Sequence, residues 1–150
     1  MKEFINSSSE IYCDYTIFLN ESFELFCKNN FQFFKDNGVM LNIPQPVVDE
    51  MKAVPMSRID DYVLCCQGLE RIDKVVSDGI AVVSDSFDGV EYSEDYFYRL
   101  CKNSCKDIIV ITNDIALITE LADICISLGR HESFFKALEI EENGMLHRLR

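Results

Sequence analysis

Asp14 stands in the stretch Ile11-Tyr12-Cys13-Asp14-Tyr15-Thr16-Ile17-Phe18, a carboxylate set among apolar and aromatic neighbours. Burying such a group without a partner is costly. Three further acids closely follow apolar runs. Glu50 comes after Val39–Ile43, Asp95 after Ile80–Val83 and Asp114 after Ile108–Ile111. In open α/β sheets, ligands sit beyond the carboxyl ends of the strands. Four strand-to-helix connections therefore each deliver one carboxylate to the same rim. Carboxylates gathered there repel one another, and a shared divalent cation relieves that repulsion. Oxygen-only ligands suit Mg²⁺ or Mn²⁺. Asp14, Glu50, Asp95 and Asp114 are thus the candidate catalytic residues and metal ligands. Each also has a simpler role open to it. Asp114 can cap the helix it precedes. Asp95 in a first helical turn is favoured by the helix dipole, worth ~0.3–1 kcal/mol. Glu50 can be an exposed helix residue. With 26 acids in the chain, some reach any rim by chance.

The elements that must position these acids alternate between strand and helix. Ile11–Cys13 reads as a short strand. Residues 22–36 carry Phe23, Phe26, Cys27, Phe33 and Phe34 and stop at Asn37-Gly38, a helix C-terminal signal. Val39–Ile43 reads as a buried strand, and Pro46 suits the first turn of a helix over Pro46–Ala53. Residues 58–76 place Ile59, Tyr62, Val63, Cys66, Leu69, Ile72 and Val76 at helical spacing. Ile80–Val83 is the next strand, followed by a loop over Asp85–Tyr92. Ser93 reads as the N-cap of a helix to about Ser104, with Tyr96, Phe97, Leu100 and Cys101 inward. Ile108–Ile111 is another strand. A helix then runs from Asn113 or Asp114 through Leu128, stopped by Gly129.

Unbroken Val/Ile strands separated by helices indicate a mainly parallel sheet covered on both faces. The tail differs, because Asn143-Gly144 is a strong hairpin signal. It predicts a C-terminal β-hairpin over 138–149, with a two-residue loop and Glu139 opposite Arg148. The expected fold is α/β, one domain over residues 1–150.

Composition bounds the function. The chain has 150 residues, 48% of them hydrophobic, enough to bury a core. No apolar run approaches the ~18 residues of a membrane span. The opening Met-Lys-Glu-Phe-Ile-Asn-Ser has no apolar stretch, which predicts no signal peptide. The net charge is −12, with 12 acids to 7 bases in residues 1–75 and 14 to 7 in residues 76–150. That leaves no broad cationic face for duplex DNA. The seven cysteines read as reduced thiols of a cytoplasmic protein. Cys101 and Cys105 stand four apart in a helical pattern. His131 and His147 do not complete a zinc-ligand spacing.

The ordered motifs resemble the PIN-domain family, whose members include the VapC toxins and many RNA-processing nucleases. The likeness lies in Cys13-Asp14-Tyr15-Thr16, in Leu41–Met51 with its prolines and Glu50, and in Ser93-Glu94-Asp95-Tyr96. It is closest at Ile109–Asp114, ending Thr112-Asn113-Asp114 before Ile115-Ala116-Leu117-Ile118. It covers about residues 10–130. Tyr15 departs from it, being bulky where the family has a small residue. The middle acid is ambiguous, because Asp85, Asp88, Glu91 and Glu94 crowd Asp95.

The resemblance implies a three-layer α/β/α PIN-like domain acting as a metal-dependent endoribonuclease on single-stranded RNA. Mg²⁺ or Mn²⁺ would sit between Asp14, Glu50, Asp95 and Asp114. Thr16 and Asn113 would position a water or a phosphate oxygen, and Tyr15 or Tyr96 would stack on a base. Arg99, Lys102, Lys106, Arg130, His131, Arg148 and Arg150 are the groups available to an RNA backbone. A protein partner such as an antitoxin, and a homodimer, are further expectations of the resemblance. Two other readings stand beside it. One is a PIN-like fold without catalysis, serving as a protein-binding module, which the acidity and Tyr15 favour. The other is a phosphoacceptor receiver domain, which lacks a lysine after its last parallel strand.

Overall fold

The structure is a computed structural model that describes residues 1–5 and 9–150. Residues 6 and 7 of the segment read for a signal peptide lie outside the described residues. The chain runs β1 (Ser9–Cys13), a 3-10 turn (Tyr15–Leu19), α1 (Ser22–Asn37), β2 (Leu41–Pro44), α2 (Gln45–Ala53) and α3 (Ile59–Ser77). It continues β3 (Ala81–Ser84), α4 (Ser93–Asn103), β4 (Asp107–Ile111), α5 (Ile115–Ser127), β5 (Phe135–Ile140) and β6 (Leu146–Arg148).

The six strands form one sheet in the order β3-β2-β1-β4-β5-β6. The first five are parallel to their neighbours, and β6 returns antiparallel to β5. Right-handed crossovers put α1, α2 and α3 on one face and α4 and α5 on the other. The helix packing agrees, since α2 lies against α3 and α4 against α5. The result is the expected three-layer α/β/α arrangement. From β1 the chain moves outward through β2 and β3, then returns to β4 on the other side of β1. The crevice between β1 and β4 is therefore the topological switch point of the sheet.

The strands are apolar on both faces because helices cover both. Cys13, Leu41, Ile43 and Ile108–Ile111 are all buried. Under α1 an aromatic cluster fills the core, with Phe18 edge-on to Phe23 at 4.8 Å and Phe26 edge-on to Phe34 at 6.0 Å. Gly38 ends α1 in the left-handed region, and the Val39 amide closes the turn on the Phe34 carbonyl. This closure consumes Val39, so β2 begins at Leu41 rather than at Val39. Among the described residues no helix is long and apolar enough to cross a membrane.

In α3 the apolar spacing is right at Ile72 but places Ile59, Val63 and Val76 on the buried face, where they do not lie. Cys65, Gly68, Ile72 and Val75 face inward, while Ile59 and Val63 are 57% and 45% exposed. Gly68 is the reason. A Cβ there would lie 3.1 Å from the Phe18 carbonyl oxygen and 2.5 Å from the Met51 methyl. The bare backbone lets α3 settle onto the 3-10 turn, where Arg71 donates to that same carbonyl at 2.8 Å. A glycine adds nothing to a hydrophobic pattern, yet here it selects the face. Cys101 and Cys105 do not share a helix face either. Helix α4 ends at Asn103, Cys105 is exposed, and the Cys101 thiol meets Cys125 instead.

The hairpin forms one residue out of the expected register. Leu138 pairs with Arg148, Glu139 with His147 and Ile140 with Leu146. The loop has three residues. The Gly144 amide donates to the Glu141 carbonyl, and Gly144 takes φ 79°. A turn followed by a left-handed glycine is the usual form of a three-residue hairpin loop. Glu139 consequently meets His147 at 2.9 Å, not Arg148. Gly144 also touches α1, where a Cβ would lie 2.8 Å from backbone atoms of Leu25 and Phe26. Gly144→Ala should therefore lower stability by at least about 1–2 kcal/mol from the left-handed backbone alone. Urea unfolding checks this, with a lower midpoint at unchanged slope as the expected result.

Candidate active site

The site begins where β1 ends. The Asp14 amide donates to the Ile111 carbonyl at 3.1 Å, carrying the β1–β4 ladder one step past Cys13. Asp14 then turns the chain into the 3-10 segment, which it caps. Its side chain is 2% exposed. The oxygen Oδ2 accepts the Thr16 hydroxyl and the Thr112 hydroxyl, each at 2.8 Å, and the Thr16 amide at 3.4 Å. Each hydroxyl also accepts an amide from the β4–α5 connection. Thr16 Oγ1 takes the Asn113 N–H and Thr112 Oγ1 the Asp114 N–H, both at 3.0 Å. Burial raises the Asp14 pKa above the ordinary carboxylate value. The hydroxyls of Thr112 and Thr16 and the amides of Tyr15 and Thr16 pull it back.

Asp114 follows β4 and caps α5, its Oδ1 accepting the Leu117 amide at 3.1 Å. Glu50 lies on α2 and reaches the start of α4. Its two oxygens accept the Ser93 amide at 2.8 Å and the Ser93 hydroxyl at 2.7 Å. Ser93 is thus the first residue of α4 rather than its N-cap, and Glu50 supplies the acceptor from outside the helix. A carboxylate in that position complements the helix dipole.

Asp14, Glu50 and Asp114 line one cleft of about 390 Å³ at the switch point. The charges of all three, with burial the larger cause, raise the pKa of the Tyr15 phenol between them. Glu94 and Glu120 line the same cleft, and among the described residues no basic side chain does. Tyr98 is hydrogen-bonded to both glutamates. Burial, then those hydrogen bonds, push its phenol pKa well up.

Asp95 is the exception among the expected acids. It is exposed and borders a separate depression with Tyr98, Arg99 and Lys102. Adjacent residues on a helix point about 100° apart, so the acid that α4 brings to the cleft is Glu94. The crowding of acids before Asp95 was one sign of this. Glu120 had a clearer one, lying six residues after Asp114 and so near Leu117 and Ala116 on the α5 surface. Asn113 contributes its main-chain amide to Thr16, and its side chain does not line the cleft. Tyr96 is buried and stacked on Phe87 at 4.8 Å, which removes it as a base-stacking surface. Tyr15 is half-buried and forms the wall between the cleft and a depression containing Arg58 and Asp61.

The chain matches no family model and no curated protein. Among the described residues no three acidic, histidine or cysteine side chains stand close enough to form a ready-made cage. Mg²⁺ does not require one, because it binds through one or two carboxylates and keeps several waters. Hard carboxylate oxygens around a base-free cleft fit such an ion.

A raised Asp14 pKa makes a signed prediction. A buried acid whose folded pKa exceeds its unfolded value of 3.8 stabilises the fold fully only below that value. The contribution is lost as pH rises through the folded pKa. Asp14→Asn should therefore gain Tm over the parent as pH climbs from about 4 towards 7. Melting curves across that range check it, and a gain that shrinks with rising pH would refute it.

Proposed function

We propose that the chain is a metal-dependent endoribonuclease of the PIN-like type, cleaving phosphodiester bonds of single-stranded RNA. The observation that carries this reading is the cleft at the β1–β4 switch point. Five carboxylates line it, Asp14 at its floor is held by two threonine hydroxyls, and no base neutralises it. Carboxylates alone repel a phosphodiester, so the cleft needs a cation to accept one. When bound, Mg²⁺ or Mn²⁺ supplies positive charge at the phosphate and acidifies a water for in-line attack.

The chain's own residues do the rest. Thr16 and Thr112 donate their hydroxyl protons to Asp14 Oδ2, which fixes the carboxylate's orientation. Asp114 is placed by its own cap on α5, and Glu50 by Ser93. Glu94 and Glu120 line the side of the cleft between α4 and α5, where Tyr98 holds them. Tyr15 stands as a wall against which a base can pack. We place the protein in the cytoplasm, where its seven unpaired thiols remain reduced. The dispersal of the carboxylates onto separate anchors favours a second reading, a non-catalytic PIN-like module that binds a protein partner.

Purified protein should cleave unstructured RNA with Mn²⁺ or Mg²⁺ and not with EDTA. Asp14→Asn should abolish cleavage without loss of fold. With net charge −12, activity should fall as salt rises. Cleavage by Asp14→Asn at the parental rate would place the activity elsewhere. A parent with neither metal-dependent cleavage nor a metal-induced rise in Tm would leave the binding module as the reading.

A further inference from the structure

At the other end of α5 the sign of the surface reverses. A groove of about 540 Å³ lies between the C-terminal half of α5, the start of β5 and the segment that follows β6. Arg130, Arg148 and Arg150 line it, with His131, Glu132 and the Cys125 thiol. The chain carries 26 acids and 14 bases, yet among the described residues only two of its six arginines pair with a carboxylate. Arg58 and Arg71 do, pairing with Asp61 and Glu24. Among the described residues, Arg130, Arg148 and Arg150 have no acidic side chain at ion-pair distance. His131 is matched by Asp107 at 3.1 Å, so the uncompensated charge belongs to the arginines.

The side chains of Arg130 and Arg148, and the main chain of Arg150, are held in place by groups that carry no negative side-chain charge. Arg130 donates to the Lys102 carbonyl at 2.7 Å and lies over the Phe134 ring at 4.3 Å. Arg150 is fixed by its main chain, which exchanges hydrogen bonds with Ala137 at 3.2 and 3.1 Å. Arg148 donates from Nε to the Arg150 main-chain oxygen at 3.1 Å. The end of α5 carries about half a negative charge, which one arginine more than offsets. Two remain in excess of that need. Exposed Ile126 and buried Phe135 give the same groove an apolar wall.

We propose that this groove binds the phosphate group of a nucleotide. Guanidinium forks match phosphate oxygens two at a time. A terminal phosphate has three such oxygens and nearly two charges, enough to engage more than one of these arginines, where a lone carboxylate has two oxygens and one charge. The apolar wall beside them accommodates the sugar and base. The ligand's source is either a free mononucleotide or the 5′-phosphorylated end of an RNA strand. The site is independent of the acidic cleft and does not rest on the nuclease reading.

Calorimetric titration in EDTA tests it on the full chain, with adenosine 5′-monophosphate, adenosine, and one oligoribonucleotide carrying a 5′-phosphate or a 5′-hydroxyl. The phosphate-bearing probe should bind saturably, and its phosphate-free counterpart should not. Arg150→Gln, an exposed change, should weaken binding roughly tenfold or more with Tm unchanged. Arg130→Gln should do the same, and if it unfolds, the Arg148→Gln/Arg150→Gln pair takes its place. Binding by the mononucleotide alone identifies a free ligand, and binding by the 5′-phosphorylated strand alone identifies a strand end. Equal binding of adenosine and its monophosphate would overturn the proposal. So would affinity unchanged in Arg150→Gln, or an acidic peptide that binds where no phosphate probe does.

Discussion

The buried carboxylate of Asp14 is the constraint on which the rest of the site depends. A charge taken out of water costs several kcal/mol unless it is matched. Here the match is two hydroxyl donors and an amide on a single oxygen. Hydrogen bonds to charged groups are worth about 1.5–3 kcal/mol each, so the set offsets a large part of the penalty. The two threonines come from opposite sides of the switch point, one after β1 and one after β4. Because each also accepts an amide of the β4–α5 connection, the charge locks the start of α5 to the end of β1. The position of Asp114 at the cap of α5 follows from that lock.

Much of this arrangement was legible in the sequence. Val/Ile runs marked the parallel strands, because strands covered on both faces have no polar side. Asn37-Gly38 and Gly129 marked helix ends, because each stop needs a left-handed residue. Carboxylates after three of the strands were legible for the same reason as the strands themselves. What escaped is set by contacts between distant segments. The face of α3 is chosen by the absence of a Cβ at Gly68 where it meets Phe18 and Met51. The hairpin register follows a left-handed Gly144 wedged against α1. Glu94 rather than Asp95 enters the cleft because of the rotation of α4, which its buried Tyr96, Phe97, Leu100 and Cys101 determine. Those four were read correctly, so the angle of Glu94 was within reach of the same pattern.

The two ends of α5 divide the molecule's electrostatics. Its N-terminal end faces five carboxylates, and its C-terminal end faces three unpaired arginines. A helix dipole opposes neither, since acids suit an N-terminus and bases a C-terminus. The division therefore costs the helix nothing, and each end keeps a charge excess directed outward. Long-range attraction of an anion would act on the arginine end first, with a reach of about 8 Å at physiological salt.

The pairing of β1 with β4 also orders events in time. Thr112 lies 98 residues beyond the Asp14 carboxylate it binds. A ribosome making roughly 5–20 residues per second needs several seconds to cover that distance. Throughout that interval the edge of β1 that β4 will occupy lacks β4, and Asp14 lacks the Thr112 hydroxyl. An ionised, hydrated carboxylate at the tip of an apolar edge strand discourages other chains from pairing there. Asp14 gains its second hydroxyl donor only once Thr112 has been made.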